Sequence, residues 1–166
     1  MPTLREIQQP IKERYREEPD AARITLRASG STTEGAMSCS VDIGRAIYAA
    51  QAHAGVGGAG TAACSGDLLL GALAACAQLT CQMVAANMGL EGVGVTVDVE
   101  GDLDLRGTLG TADVPVGFEA IRVRFTLTGA DDVEPDRLGR LKDRAERYCV
   151  VLQTLLVPPA IEATWS

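Results

Sequence analysis

The sequence predicts an α+β fold in which antiparallel sheets pack with one long buried helix. Three patterns carry this. Residues 93–105 and 121–127 alternate apolar and polar side chains with the period of two that marks half-buried strands. Residues 24–29 and 37–43 repeat that alternation on either side of a glycine-bearing turn. Residues 68–90 contain no charged side chain at all. Strands that follow one another without an intervening helix form hairpins, so the expected order is β-β-α-β-β-α-α-β.

The chain of 166 residues reads as one domain over residues 22–166, preceded by a charged arm at 1–21 that Pro10 and Pro19 limit to a helical turn or two. Such arms often wrap a partner subunit. Ile24, Leu26 and Ala28 then share one face of a first strand that also carries Arg27, and Met37, Cys39, Val41 and Ile43 share one face of a second. Residues 49–63 form an Ala- and Gly-rich loop. The main helix opens at Ser65 as N-cap, with Asp67 in the first turn where its charge complements the helix dipole, and it stops at Gly89. Two of its rows are apolar, Leu69, Leu73, Cys76, Met83 and Leu68, Ala72, Ala75, Leu79, so the helix needs cover on more than one side. A second copy of the chain is a natural source of that cover, and a homodimer is expected. In the next strand pair, the outward Arg122 and Arg124 can pair with the outward acids Asp98, Glu100 and Asp102. Pro135 opens an amphipathic helix, a short apolar helix follows Cys149, and Ile161, Ala163 and Trp165 suggest a last edge strand.

Several function classes drop out on composition. With 22 acidic against 15 basic residues and 4% aromatics, the chain lacks both the positive field and the stacking platforms that nucleic acid requires. The charged segment Met1–Arg16 has no apolar run of a secretory signal, so no export is implied and a cytoplasmic location is expected. Residues 68–90 are long enough to cross a bilayer, but Gln78, Thr80, Gln82 and Asn87 interrupt them and Asp67 and Glu91 flank them, so a buried helix is expected and no membrane partner. Gly55, Gly57 and Gly60 match G-x-G-x-x-G by spacing alone, without a clear preceding strand or a βαβ context, and a close-packed connection is expected there. No C-x-x-C occurs and His53 is the single histidine, so neither a metal nor a cofactor is called for; His53 reads as a solvent-facing loop residue.

What remains is thiol chemistry. The five cysteines, Cys39, Cys64, Cys76, Cys81 and Cys149, are odd in number and irregularly spaced, as reduced thiols would be. Each taken alone reads as a small buried hydrophobe. Cys39 points into the sheet core, Cys64 precedes the helix N-cap, and Cys81 lies about 140° around the helix from Cys76.

The segment Ser65-Gly66-Asp67-Leu68-Leu69-Leu70-Gly71-Ala72-Leu73-Ala74-Ala75-Cys76, with the later Glu146-Arg147-Tyr148-Cys149-Val150-Val151, resembles the two cysteine segments of the OsmC/Ohr family of osmotically inducible and organic hydroperoxide resistance proteins. The element order resembles that family as well, from about residue 22 to the end. The resemblance implies an intertwined homodimer, a thiol-dependent peroxidase acting in the stress response on organic or hydrogen peroxide, and recycling by a dithiol reductant. Cys76 then matches the peroxidatic thiol and Cys149 the resolving thiol. The family also uses an arginine and a glutamate near the thiol. By spacing, Gly66 occupies the position of that glutamate, leaving Asp67, one residue on, as the substitute carboxylate, and Arg27 is preferred to Arg45 as the arginine. The missing glutamate keeps a second expectation open, a non-catalytic protein of the same fold that binds a small apolar ligand at the dimer interface.

Overall fold

The computed structural model describes residues 3–32, 37–44, 46–90 and 92–165. Its elements are helix α1 (Leu4–Glu17), strands β1 (Ser29–Thr32), β2 (Ser38–Asp42) and β3 (Ile47–Gln51), helix α2 (Ser65–Asn87), strand β4 (Gly94–Leu103), helix α3 (Leu105–Leu109), strand β5 (Phe118–Thr128), and helices α4 (Pro135–Tyr148) and α5 (Val150–Leu156). An α+β fold was expected, but its elements differ from the expected ones at five places.

The first is α1, which runs for 14 residues where the sequence predicted a turn or two. Thr3 and Glu6 close a reciprocal capping box that nucleates it, and Pro10 is carried inside the helix. Second, residues 23–28 are not a strand: Ile24 is 76% exposed and Leu26 86%, and pairing begins only at Ser29. Third, β3 was missed. Its Ala49 and Ala50 are poor strand formers, and tertiary pairing with β2 overrides that propensity. Fourth, the tail ends without the predicted edge strand, and Ile161 and Trp165 stay exposed. The expected β-β-α-β-β-α-α-β order is corrected accordingly, with α3 as a further short helix in the predicted loop.

Packing divides the chain into two units. The first extends to Leu70 and includes Gly101–Ile121. Here β1, β2 and β3 form an antiparallel sheet in sequence order, in register Ser29 with Asp42 and Cys39 with Ala50. The glycine-rich loop follows β3 directly. It makes a 3-10 turn over Ala54–Val56, ended by Gly57 at φ 95°, a conformation that favours glycine. Because β3 belongs to an antiparallel sheet, the loop is a tight turn and lacks the βαβ setting of a dinucleotide site.

The second unit holds Gly71–Glu100 and the chain from Arg122 onward. Its core joins Cys81, Val84, Ala85, Leu90, Leu141 and Ala145, flanked by half-buried Val93, Val95, Phe125 and Leu127. The polar residues of α2 are put to use here. Gln78 donates to the carbonyl of Val95 at 2.8 Å, which ties the helix to β4, and Arg137 from α4 donates to the carbonyl of Met88 at 2.6 Å, just past the end of α2. Gly89, at φ 66°, turns the chain away, as the sequence predicted. Gly94 lies against Thr128 and Glu100 pairs with Arg122 at 3.3 Å, so β4 and β5 run antiparallel with the expected outward ion pair. By length and composition α2 could cross a membrane, yet Leu73, Ala77, Thr80, Cys81, Val84 and Ala85 are buried.

Leu141 has no exposed surface and sits at the centre of this core. Leu141→Ala should destabilise the protein by about 2–5 kcal/mol, read as a lower urea midpoint in chemical denaturation.

Candidate functional site

Two cysteines from distant parts of the chain converge in the second unit. Cys76 is half-buried in the middle of α2, and Cys149 is fully buried at the joint between α4 and α5. Each thiol shifts the ionisation of the other, and no disulfide joins them.

The joint creates the site. Amphipathic α4 buries Leu141 and Ala145, and the same face one turn on is Cys149. There the backbone leaves helical geometry for one residue, at φ −74° and ψ 101°, and α5 starts anew with the carbonyl of Cys149 accepting from the N–H of Gln153 at 2.9 Å. A new helix start exposes amide donors that have no partner within the helix. The backbone amides of Val150 and Val151 at this helix start act on the Cys76 thiol and lower it. Thr80, one turn after Cys76 on α2 and only 6% exposed, adds its hydroxyl at 4.0 Å from that sulfur.

These contacts split the two thiols electrically. Burial pushes the Cys76 thiol up, but hydrogen bonds from the Val151 amide, the Cys149 thiol, the Thr80 hydroxyl and the Val150 amide outweigh it and hold Cys76 below the ordinary thiol range. Cys149 goes the other way. Burial raises it most, the Leu152 amide lowers it somewhat, and the hydrogen bond and charge of Cys76 raise it further. Of the two thiols, Cys76 is therefore the one that ionises first.

The other residues singled out in the sequence belong to the first unit, apart from Cys81. Asp67 is engaged at the start of α2: its carboxylate accepts from the Cys64 N–H at 2.9 Å, and its own N–H donates to the Cys64 sulfur at 3.5 Å. This is a capping box with Cys64 as N-cap, one residue before the predicted Ser65. The Cys64 amide, followed by the Cys64 side chain, lowers the Asp67 carboxyl. Arg27 is exposed in the extended segment before β1, not on the strand as predicted, and Arg45 lies outside the described residues. His53 is exposed, its Nδ1 accepting from the Gly55 N–H at 3.0 Å, and it borders a cavity of about 250 Å³ with Cys64, Asp67 and Phe118. Cys39 is half-buried on β2, and Cys81 is buried with its thiol pushed up by desolvation. Thr80 and the amides of Val150 and Val151 were missed in the sequence. The i,i+4 spacing of Cys76 and Thr80 was the one available signal for Thr80.

A chain with this fold and a paired thiol at a helix joint falls in a recognisable class. The OsmC-like protein family matches residues 58–164, and the chain belongs to it. Similar solved structures include an OsmC-like protein from Mycoplasma pneumoniae, at TM-score 0.64 and 15% identity, covering 81% of this chain and 89% of that one. An OsmC-like protein of unknown function from Vibrio cholerae matches at TM-score 0.60 and 12% identity, covering 80% and 94%. An organic hydroperoxide resistance protein from Elizabethkingia anophelis matches at TM-score 0.58 and 18% identity, covering 82% and 91%. At these identities the likeness is one of fold. No curated protein matches the chain in sequence.

Alkylation of Cys76 by iodoacetamide should rise with pH through a midpoint below that of Cys81, followed peptide by peptide in mass spectrometry. Thr80→Val should move the Cys76 midpoint up by roughly half a pH unit, the weight of one modest hydrogen bond to the thiolate.

Proposed function

We propose that the protein is a thiol-dependent reductase of organic or hydrogen peroxide, with Cys76 as the attacking thiolate and Cys149 as the resolving thiol. What carries this reading is the pairing of two cysteines from distant segments, the Cys76 thiol lowered by amide and hydroxyl hydrogen bonds and the Cys149 thiol raised by burial and by its neighbour. Membership of the OsmC-like family supports it, as does the fold shared with an organic hydroperoxide resistance protein.

The steps follow from that arrangement. The Cys76 thiolate attacks one oxygen of the peroxide; an S–O bond forms, the O–O bond breaks, and Cys76 becomes a sulfenic acid. The departing alkoxide takes the proton held on Cys149 and leaves as the alcohol. Cys149, now a thiolate, attacks the Cys76 sulfur, closing a disulfide and releasing hydroxide. A dithiol reductant restores both thiols by exchange. In this scheme the amides of Val150 and Val151 stabilise the anion, in the place where a guanidinium was expected, and neither Arg27 nor Asp67 needs a role.

The same proposal includes a homodimer. Along α2, Leu69 is 39% exposed and Leu79 58%, and Val150 and Leu156 of α5 are 70% and 65% exposed. A second copy covering them would bury apolar surface that a soluble monomer rarely leaves open. Leu79→Lys should shift the sedimenting species from dimer to monomer; a wild type that sediments as a monomer would remove this part of the proposal.

Peroxide consumption in the presence of dithiothreitol provides the enzymatic test. The wild type should consume an alkyl hydroperoxide and Cys76→Ser should fall to the rate of buffer alone. Cys149→Ser should still give a single fast turnover before stalling. Equal rates in wild type and Cys76→Ser would sink the reductase and leave a non-catalytic binding protein of this fold.

A further inference from the structure

Two stretches carry large apolar side chains that the single chain leaves open. In residues 23–28, just before β1, Ile24 is 76% exposed and Leu26 86%; in the tail after α5, Ile161 is 89% exposed and Trp165 98%. Neither stretch belongs to a helix or a strand. Each nevertheless alternates as a strand with one apolar face does, through Ile24, Leu26 and Ala28 in the first and Ile161, Ala163 and Trp165 in the second. No proline falls within either, so every amide is free to join a ladder.

The two stretches complement each other. Laid antiparallel with Ala28 opposite Ile161, Leu26 meets Ala163 and Ile24 meets Trp165 on the apolar face, so a small side chain faces a large one in two of the three pairs. On the polar face the same register sets Arg27 opposite Glu162 and Thr25 opposite Thr164. Pairing the first stretch with its own copy about Thr25 would set Arg23 against Arg27 instead, and like charges directly opposite repel. Position fits as well. Residues 23–28 run directly into β1, an edge strand of its sheet, and an edge offers a row of backbone groups to an added strand. The tail leaves α5 through Leu156 and Val157, 65% and 75% exposed, and so continues the apolar surface assigned above to a second copy.

We propose that residues 23–28 of each copy pair antiparallel with residues 161–165 of the other, lengthening β1 across the interface at two symmetric places. The pairing rests on the homodimer proposed above and names the segments that lock it.

Trp165 is the chain's single tryptophan, so its fluorescence reports the pairing. At concentrations where the wild type sediments as a dimer, acrylamide should quench it about threefold less than in the urea-unfolded chain, because pairing buries the ring. Arg27→Glu should raise the dimer dissociation constant about tenfold, since a like-charge pair then recurs at both symmetric places, and adding Glu162→Arg should restore it. Oxidation of the Thr25→Cys, Thr164→Cys double variant should give a covalent dimer, with the two introduced thiols joined between chains on peptide mapping. All four side chains are exposed, so these changes leave the fold of the single chain intact. A wild type that sediments as a monomer would remove the homodimer and this pairing with it. A dimer in which Trp165 is quenched as in the unfolded chain, or in which the introduced thiols stay unlinked or close within one chain, would overturn the pairing alone.

Discussion

The thiol chemistry proposed for this protein depends on a one-residue interruption in helix geometry. Had α4 run on through Cys149, the amides of Val150 and Val151 would have been consumed inside the helix. Because Cys149 adopts an extended conformation, the chain restarts, and those amides become available to the Cys76 sulfur. One local choice thus supplies the buried thiol partner and the donors that stabilise the anion. The arrangement needs no formal positive charge. It works because amide dipoles in a partly desolvated site are fixed in place and lose little hydration when they meet an anion.

The interruption is held by packing on both sides. Leu141 and Ala145 anchor α4 in the core, which fixes where its last turn ends, and Cys149 follows them on the same buried face. Gln78 ties α2 to β4, and Arg137 of α4 ties down the exit of α2. Cys76 lies between two residues committed to that framework, Leu73 and Ala77, both fully buried. Two sulfurs 73 residues apart in the chain are thus brought together by the packing of these helices.

Much of this was legible in the residues, for a physical reason in each case. Strands β4 and β5 alternate over ten and eleven residues, long enough for the period of two to be unmistakable. The uncharged run of α2, its glycine stop and the Pro-led start of α4 are local signals that tertiary structure did not override. Errors arose where a pattern needed a partner to mean anything. Ile24, Leu26 and Ala28 alternate, as do Ile161, Ala163 and Trp165, yet alternation without pairing leaves an exposed segment. Conversely, β3 pairs despite a sequence with weak strand propensity. The family resemblance pointed to Cys76 and Cys149, but the opposed pull on their two thiols was not legible. It depends on which amides point at which sulfur, a fact of the α4–α5 joint that no spacing encodes. Asp67, chosen for its position, is occupied in the capping box that opens α2.

Disulfide mapping after treatment with one equivalent of alkyl hydroperoxide tests most directly whether the two sulfurs act as a unit. The account predicts a crosslink between the Cys76 and Cys149 peptides within one chain, with Cys39, Cys64 and Cys81 still alkylatable. Over-oxidation of Cys76 to the sulfinic acid while Cys149 remains a free thiol would contradict it.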